Sequence, residues 1–132
     1  MTVEQLRDLC LSFPGATEQV QWGEDLVFKV AGKMFVVTGF VSGSCITIKS
    51  SDEAFYELTE MPGIRPAPYL ARAHWVQIVP ADCRLRSGEI EALIRQSYDL
   101  VVARLPKKTQ HALQEKTGKK AKARPRKARA RR

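Results

Sequence analysis

The chain has 132 residues, 44% of them apolar, and 22 Lys and Arg against 14 Asp and Glu give it a formal charge of +8. That length suits one domain of about 100–150 residues, and the apolar share supports a packed core, so the chain as a whole is not disordered. No window approaches the roughly 18 apolar residues of a membrane span, and the polar, acidic start Met1-Thr2-Val3-Glu4-Gln5-Leu6-Arg7-Asp8 is unlike a signal peptide, which points to the cytoplasm.

Thr2 and Gln5 have the spacing of a capping box, and Val3, Leu6, Leu9, Cys10 and Phe13 recur three and four apart, predicting a helix that Pro14-Gly15 stops. Leu26–Ala31 alternates as a strand, with Leu26, Phe28 and Val30 on one side and Lys29 toward solvent. Gly32-Lys33 turns it into a second strand, Met34–Thr38, in a hairpin pattern. After the break at Val41-Ser42-Gly43, Ser44–Lys49 alternates as a third. Ser50 or Ser51 caps a short helix carrying Ala54, Phe55, Leu58 and Met61 inward.

Met61-Pro62-Gly63-Ile64-Arg65-Pro66-Ala67-Pro68-Tyr69 holds three prolines, which remove donors and fix φ, so it predicts neither a regular helix nor a central strand. It reads as a stiff loop that serves either recognition or connection. His74–Val79 is the next strand, where Trp75 either packs at the core or stacks on a base. Ser87 caps a last helix whose stripe runs through Ile90, Leu93, Ile94, Ser97, Tyr98, Val101, Val102 and Leu105 until Pro106. Lys107 to Glu115 adds a turn or two of loose helix. The order α-β(3)-α-β(1–2)-α predicts a two-layer α+β domain, an antiparallel sheet with helices packed on one face.

The charge is uneven. Residues 1–103 hold 9 basic and 13 acidic side chains, a net −4, whereas residues 104–132 hold 13 basic side chains and one acid, Glu115, a net +12. From Thr117 to Arg132 the sequence TGKKAKARPRKARARR has nothing to bury, so it reads as disordered. The chain divides into an α+β domain over 1–108 and a basic tail over 109–132. Such a tail meets any polyanion without a shaped pocket and gains affinity by releasing counterions, without sequence preference; the plainer role is a solubility tail.

Nothing in the sequence calls for an enzyme, and no cofactor or metal is expected. Cys10, Cys45 and Cys83 lie far apart, and only His74 and His111 could join them as metal ligands. There is no Gly-x-Ser-x-Gly elbow, His-Glu-x-x-His or phosphate-binding glycine loop.

Phe13-Pro14-Gly15-Ala16-Thr17-Glu18, Trp22-Gly23, Phe28-Lys29-Val30, Gly32-Lys33-Met34-Phe35, Pro62-Gly63-Ile64, Pro66-Ala67-Pro68-Tyr69, His74-Trp75-Val76 and Ser97-Tyr98-Asp99-Leu100-Val101 follow one another as in the MmcQ/YjbR family, which residues 3–108 resemble. The resemblance implies a small bacterial domain of secretion-chaperone-like, frataxin-like fold, labelled DNA-binding, with no established enzyme activity or cofactor. Its shared residues map to Lys29, Lys33, the Pro-rich loop with Arg65, His74-Trp75 and Lys107-Lys108. The basic tail lies outside it.

The expectation is a non-enzymatic, sequence-nonspecific DNA-binding protein, monomer or homodimer, cytoplasmic and in reach of the nucleoid. Candidate contacts in the body are Lys29, Lys33, Lys49, Arg65, Arg72, His74, Trp75, Lys107 and Lys108. In the tail they are Lys119, Lys120, Lys122, Arg124, Arg126, Lys127, Arg129, Arg131 and Arg132, which supply most phosphate contacts. The alternative is a protein- or small-ligand-binding module in which Trp22, Tyr69 and Trp75 line an apolar groove.

Overall fold

Thr2 closes the capping box with Gln5: its hydroxyl accepts the Gln5 N–H at 3.1 Å, and the Gln5 side chain accepts the Thr2 N–H at 2.9 Å. Helix α1 (Val3–Leu11) follows and buries Leu6 and Cys10. The computed structural model describes residues 2–21, 25–41, 43–68 and 73–114.

Gly15, at φ +73°, turns the chain into β1 (Ala16–Gln21), a strand the sequence reading missed. Its six residues, ATEQVQ, carry no apolar alternation because the four central ones are exposed. Then come β2 (Asp25–Val30), β3 (Lys33–Thr38) and β4 (Ile46–Lys49), so four strands rather than three precede α2 (Asp52–Leu58). Ser51 is the residue that caps α2, accepting the Ala54 N–H at 3.1 Å.

The Pro-rich stretch forms a short strand, β5 (Ile64–Pro66), where a loop was expected. It pairs with β6 (Trp75–Ile78) at the sheet margin, a place that tolerates a residue without an N–H. Helix α3 (Ser87–Ala103) has Arg86, not Ser87, at its N-cap, and Glu89 accepts the Arg86 N–H at 3.0 Å. A further helix, α4 (107–114), buries Leu113 in the core, so the packed body runs to 114 rather than 108.

The strands form one antiparallel sheet in the order β1-β2-β3-β4-β6-β5. Phe28, Val30, Phe35, Val36, Ile48, Val76 and Ile78 pack in one cluster with Leu6, Cys10 and Phe13, with Phe55 and Leu58 of α2, and with Ile90, Ile94, Tyr98 and Val101 of α3. All helices therefore share one face of the sheet, giving the expected two-layer α+β architecture. A bulge makes Phe35 and Val36, consecutive residues, both core: Phe28 pairs with Val36 while Lys29 pairs with Met34. No described helix is long and apolar enough to cross a membrane.

Candidate nucleic-acid interface

Strand alternation divides the side chains between the helix-covered face and an open one. On the open face one row crosses all six strands, Gln19–Val27–Val37–Thr47–Gln77–Arg65. Val27 and Trp75 are buried yet stand outside the helix-side cluster, as open-face positions must. Lys29, Met34 and Lys49 share that face by the same alternation, and Asp25 is its one carboxylate among the described strand residues. The helices carry most of the other described acids: Glu4 and Asp8 on α1; Asp52, Glu53 and Glu57 on α2; Glu89, Glu91 and Asp99 on α3; Glu18 lies on the helix-side face of β1, and Glu60 and Asp82 lie in turns. The body's net negative charge thus belongs chiefly to its helical side.

A groove of about 980 Å³ lies on the open face. Met34, Val37, Thr47 and Gln77 form its floor, the 39–45 loop contributes Phe40, Val41 and Cys45, and Ala67 and Pro68 close the far side. Phe40 and Val41 are 51% and 72% exposed, which makes its rim apolar.

At the end of the strands away from the 39–45 loop the cations gather. Lys33 pairs with Val30 at the β2–β3 turn and Lys29 pairs with Met34 beside it. Ile48 pairs with Val36, so the next residue of β4, Lys49, reaches the same end, where its Nζ donates to the Ala73 carbonyl at 3.1 Å. Burial first, and then the like charge of Arg104, hold the Lys49 ammonium below the ordinary lysine range, with Asp52 pulling the other way.

Arg104 caps the C-terminus of α3, and the exposed Lys107 and Lys108 open α4 just after it. Gln110 ties the two helices together, its Nε2 donating to the Leu105 carbonyl at 2.7 Å. Leu113 and Val30 both flank Gly15, next to the β2–β3 turn. The chain therefore enters its basic tail from the end of the sheet that carries Lys29, Lys33 and Lys49.

Five predicted residues, Lys29, Lys33, Lys49, Lys107 and Lys108, belong to this basic pole. Arg104 joins them and was missed, although it is the first residue of the basic segment 104–132. Arg65 stands apart on the outermost strand, its Nε donating to Gln77 Oε1 at 2.6 Å. His74, at φ +60°, places Nδ1 2.5 Å from Asp52 Oδ1 and packs its ring against Phe55 and Tyr56. A carboxylate already occupies its Nδ1, so it is a poor phosphate ligand. Trp75 is 6% exposed, which leaves no ring face on which a base could stack and removes it from the candidates. Trp22, Tyr69, Arg72, the tail candidates from Lys119 to Arg132 and the expected disorder of the tail lie outside the described residues.

The three thiols are free; Cys10 is buried, and burial pushes it up to about 12. Among the described residues no three His, Cys, Asp or Glu side chains cluster as metal ligands would.

The family model YjbR matches residues 11–100 of this chain. The protein YjbR of Escherichia coli K12, described as uncharacterised, is 29% identical over 117 residues, which cover 86% of this chain and 98% of the relative. The crystal structure of a Deinococcus radiodurans protein with a DUF419 domain superposes with a TM-score of 0.74 at 28% identity, covering 85% of this chain and 87% of the other. A Pseudomonas syringae protein structure shares the fold with a TM-score of 0.63 at 22% identity, covering 76% of this chain and 98% of its own.

Proposed function

The chain belongs to the YjbR family, and with that as premise we propose that it is a non-enzymatic protein that binds DNA without sequence preference. Lys and Arg of the segment after 114 make most of the phosphate contacts, and the basic pole of the body makes the rest. The observation that carries this reading is the placement of Lys29, Lys33, Lys49, Arg104, Lys107 and Lys108 at the end of the sheet from which the basic segment departs. These cations share one end of the sheet, while the described carboxylates are held chiefly on the helical side. Phosphate contacts of this kind position a protein on a duplex and carry no base readout.

The test is a salt titration of full-length protein on random-sequence duplex DNA. With six to ten phosphate contacts, affinity falls roughly 10³–10⁵-fold between about 50 and 200 mM salt. Replacing the basic residues from Lys119 to Arg132 by Gln should flatten that slope, and Lys29→Ala with Lys33→Ala should lower it by up to about two contacts. An unchanged slope in the Gln-substituted chain would remove the tail from the assignment.

One observation favours a second reading, a protein- or small-ligand-binding module. The groove of about 980 Å³ on the open face runs from Met34, next to Lys33, to the 39–45 loop and has an apolar rim there. A ligand bound there shifts the amide resonances of Val37 and Thr47 and leaves those of Lys107 and Lys108 in place.

A further inference from the structure

The floor of the open-face groove is apolar except at one place. Ile46 and Ile48 pack with the helix-side core, so Thr47 between them turns its side chain the other way, into the groove. Thr47 is only 8% exposed, yet its hydroxyl has no hydrogen-bond partner among the described residues. Gln77 pairs with it across the β4–β6 ladder and shares its face, since Val76 and Ile78 both belong to the core. Arg65 Nε donates to Gln77 Oε1 at 2.6 Å. A guanidinium N–H only donates, so this bond fixes which end of the amide is oxygen and leaves the Nε2 hydrogens for another acceptor. Two unused donors thus stand side by side on a buried floor, where a polar group without a partner is costly.

We infer that the groove binds an amphipathic monocarboxylate, a small acyl or aryl acid whose oxygens accept from Thr47 Oγ1 and Gln77 Nε2. The inference rests on the second reading above, of the groove as a ligand site, and supplies the chemistry of the ligand. Two adjacent donors match the two oxygens of one carboxylate. Arg65, bonded to the far end of the Gln77 amide, polarises that donor toward an anion. Lys49, two residues beyond Thr47 on the same face of β4, places a second cation near the pair. Asp25 is the one carboxylate lining the groove, and it stands three strands away on β2, roughly 14 Å off at strand spacing.

The rest of the lining suits hydrocarbon. Val37 pairs with Thr47 on its other side, and beyond it lie Met34 on the floor and Phe40 and Val41 on the rim. A volume of about 980 Å³ holds a small ligand whole.

Titration of sodium octanoate, octan-1-ol and octylamine into the isotope-labelled full chain tests this. Octanoate should shift the side-chain amide resonances of Gln77 together with the backbone amides of Val37 and Thr47. It should also shield Cys45, which lines the groove, from iodoacetamide, while Cys83, packed on the helix side, still reacts. Thr47→Val should weaken octanoate by about tenfold and octanol far less. Gln77→Glu keeps an acceptor for Arg65 and replaces the donor by a carboxylate, so octanoate binding should vanish while octylamine binds more tightly.

Octanol that binds as tightly as octanoate, or an octanoate affinity that neither variant changes, overturns the carboxylate assignment and leaves the groove a ligand site. So does octanoate that shifts Lys107 and Lys108 but not Gln77, since the acid would then be a counterion of the basic pole. If none of the three probes shifts Val37 or Thr47 at up to about 10 mM, this inference and the second reading fall together.

Discussion

Ser97 of α3 donates its hydroxyl to the carbonyl of Phe35, the bulged residue of β3, at 2.7 Å. The same oxygen accepts the N–H of Lys49 at 3.0 Å. Val36 pairs with Ile48, so Phe35 and Lys49 would be the next step of the β3–β4 ladder. The bulge takes Phe35 out of register, and a helix side chain supplies the missing bonds. One hydroxyl thus fixes the depth of α3 and the place of Lys49 in the basic pole.

Ser97→Ala leaves the buried Phe35 carbonyl without a partner, at about 1–3 kcal/mol, and the part-buried Lys49 N–H without one, at less. The expected loss is about 2–4 kcal/mol, read as a lower urea midpoint at unchanged slope. Hydrogen exchange at the Lys49 amide should rise more than at Ile48.

Ala31 occupies the left-handed region at φ +52° beside Gly32 at φ +80°, in a two-residue turn between Val30 and Lys33. Such turns favour Asn-Gly, because Asn tolerates positive φ and Ala does not. Ala31→Asn should stabilise the fold by about 1 kcal/mol, seen as a higher midpoint in thermal melts.

Gly63, at φ +80°, has no room for a side chain: a Cβ there would lie 2.4 Å from the Cys83 amide nitrogen and 2.5 Å from the Asp82 carbonyl carbon. Both neighbours are backbone, so neither can swing aside. Gly63→Ala should cost about 3 kcal/mol or more and show as reduced soluble yield and an early denaturant midpoint.

The thiol of Cys10, raised to about 12 by burial, should not react with iodoacetamide at neutral pH in the native protein. Cys45 and Cys83 are only half-buried. Intact mass should show at most two adducts before denaturation and three after it.

Hydrogen bonds from Arg7 hold the Glu18 carboxyl below its ordinary range, while partial burial opposes them. A depressed folded value means the stabilisation is present above the unfolded carboxylate range and is lost as pH falls through the folded one. The wild type should therefore melt slightly above Glu18→Gln at neutral pH, and the two curves should converge in acid. Equal melting temperatures throughout would show that this exposed pair contributes nothing.

The two long helices are legible because their apolar residues recur at helical spacing between clear stop signals. Strand β1 is not, since a marginal strand with exposed central residues has no apolar pattern to read. The bulge at Phe35 defeats period-two reading for the opposite reason: two adjacent residues, Phe35 and Val36, both face the core. Local charge counts for the body mislead in the same way. Strand register and the α3–α4 corner decide that Lys33, Lys49 and Arg104 share one end, and neither is a local property of the sequence. Trp75 is ambiguous in sequence because an aromatic in a strand suits burial and stacking equally well.

Helix α4 is fastened by Gln110 on the Leu105 carbonyl and by Leu113 beside Gly15, so the described body ends at a fixed point, with eighteen residues of sequence after it. Covalent geometry allows at most about 3.3–3.6 Å per residue, which sets a tether of roughly 60 Å for those eighteen residues. Laid along a duplex from the basic pole, that tether spans no more than about 18 base pairs at 3.4 Å each. Under the proposed DNA contact, inserting uncharged residues after Leu113 should therefore widen the stretch of duplex these cations can reach without adding a single charge.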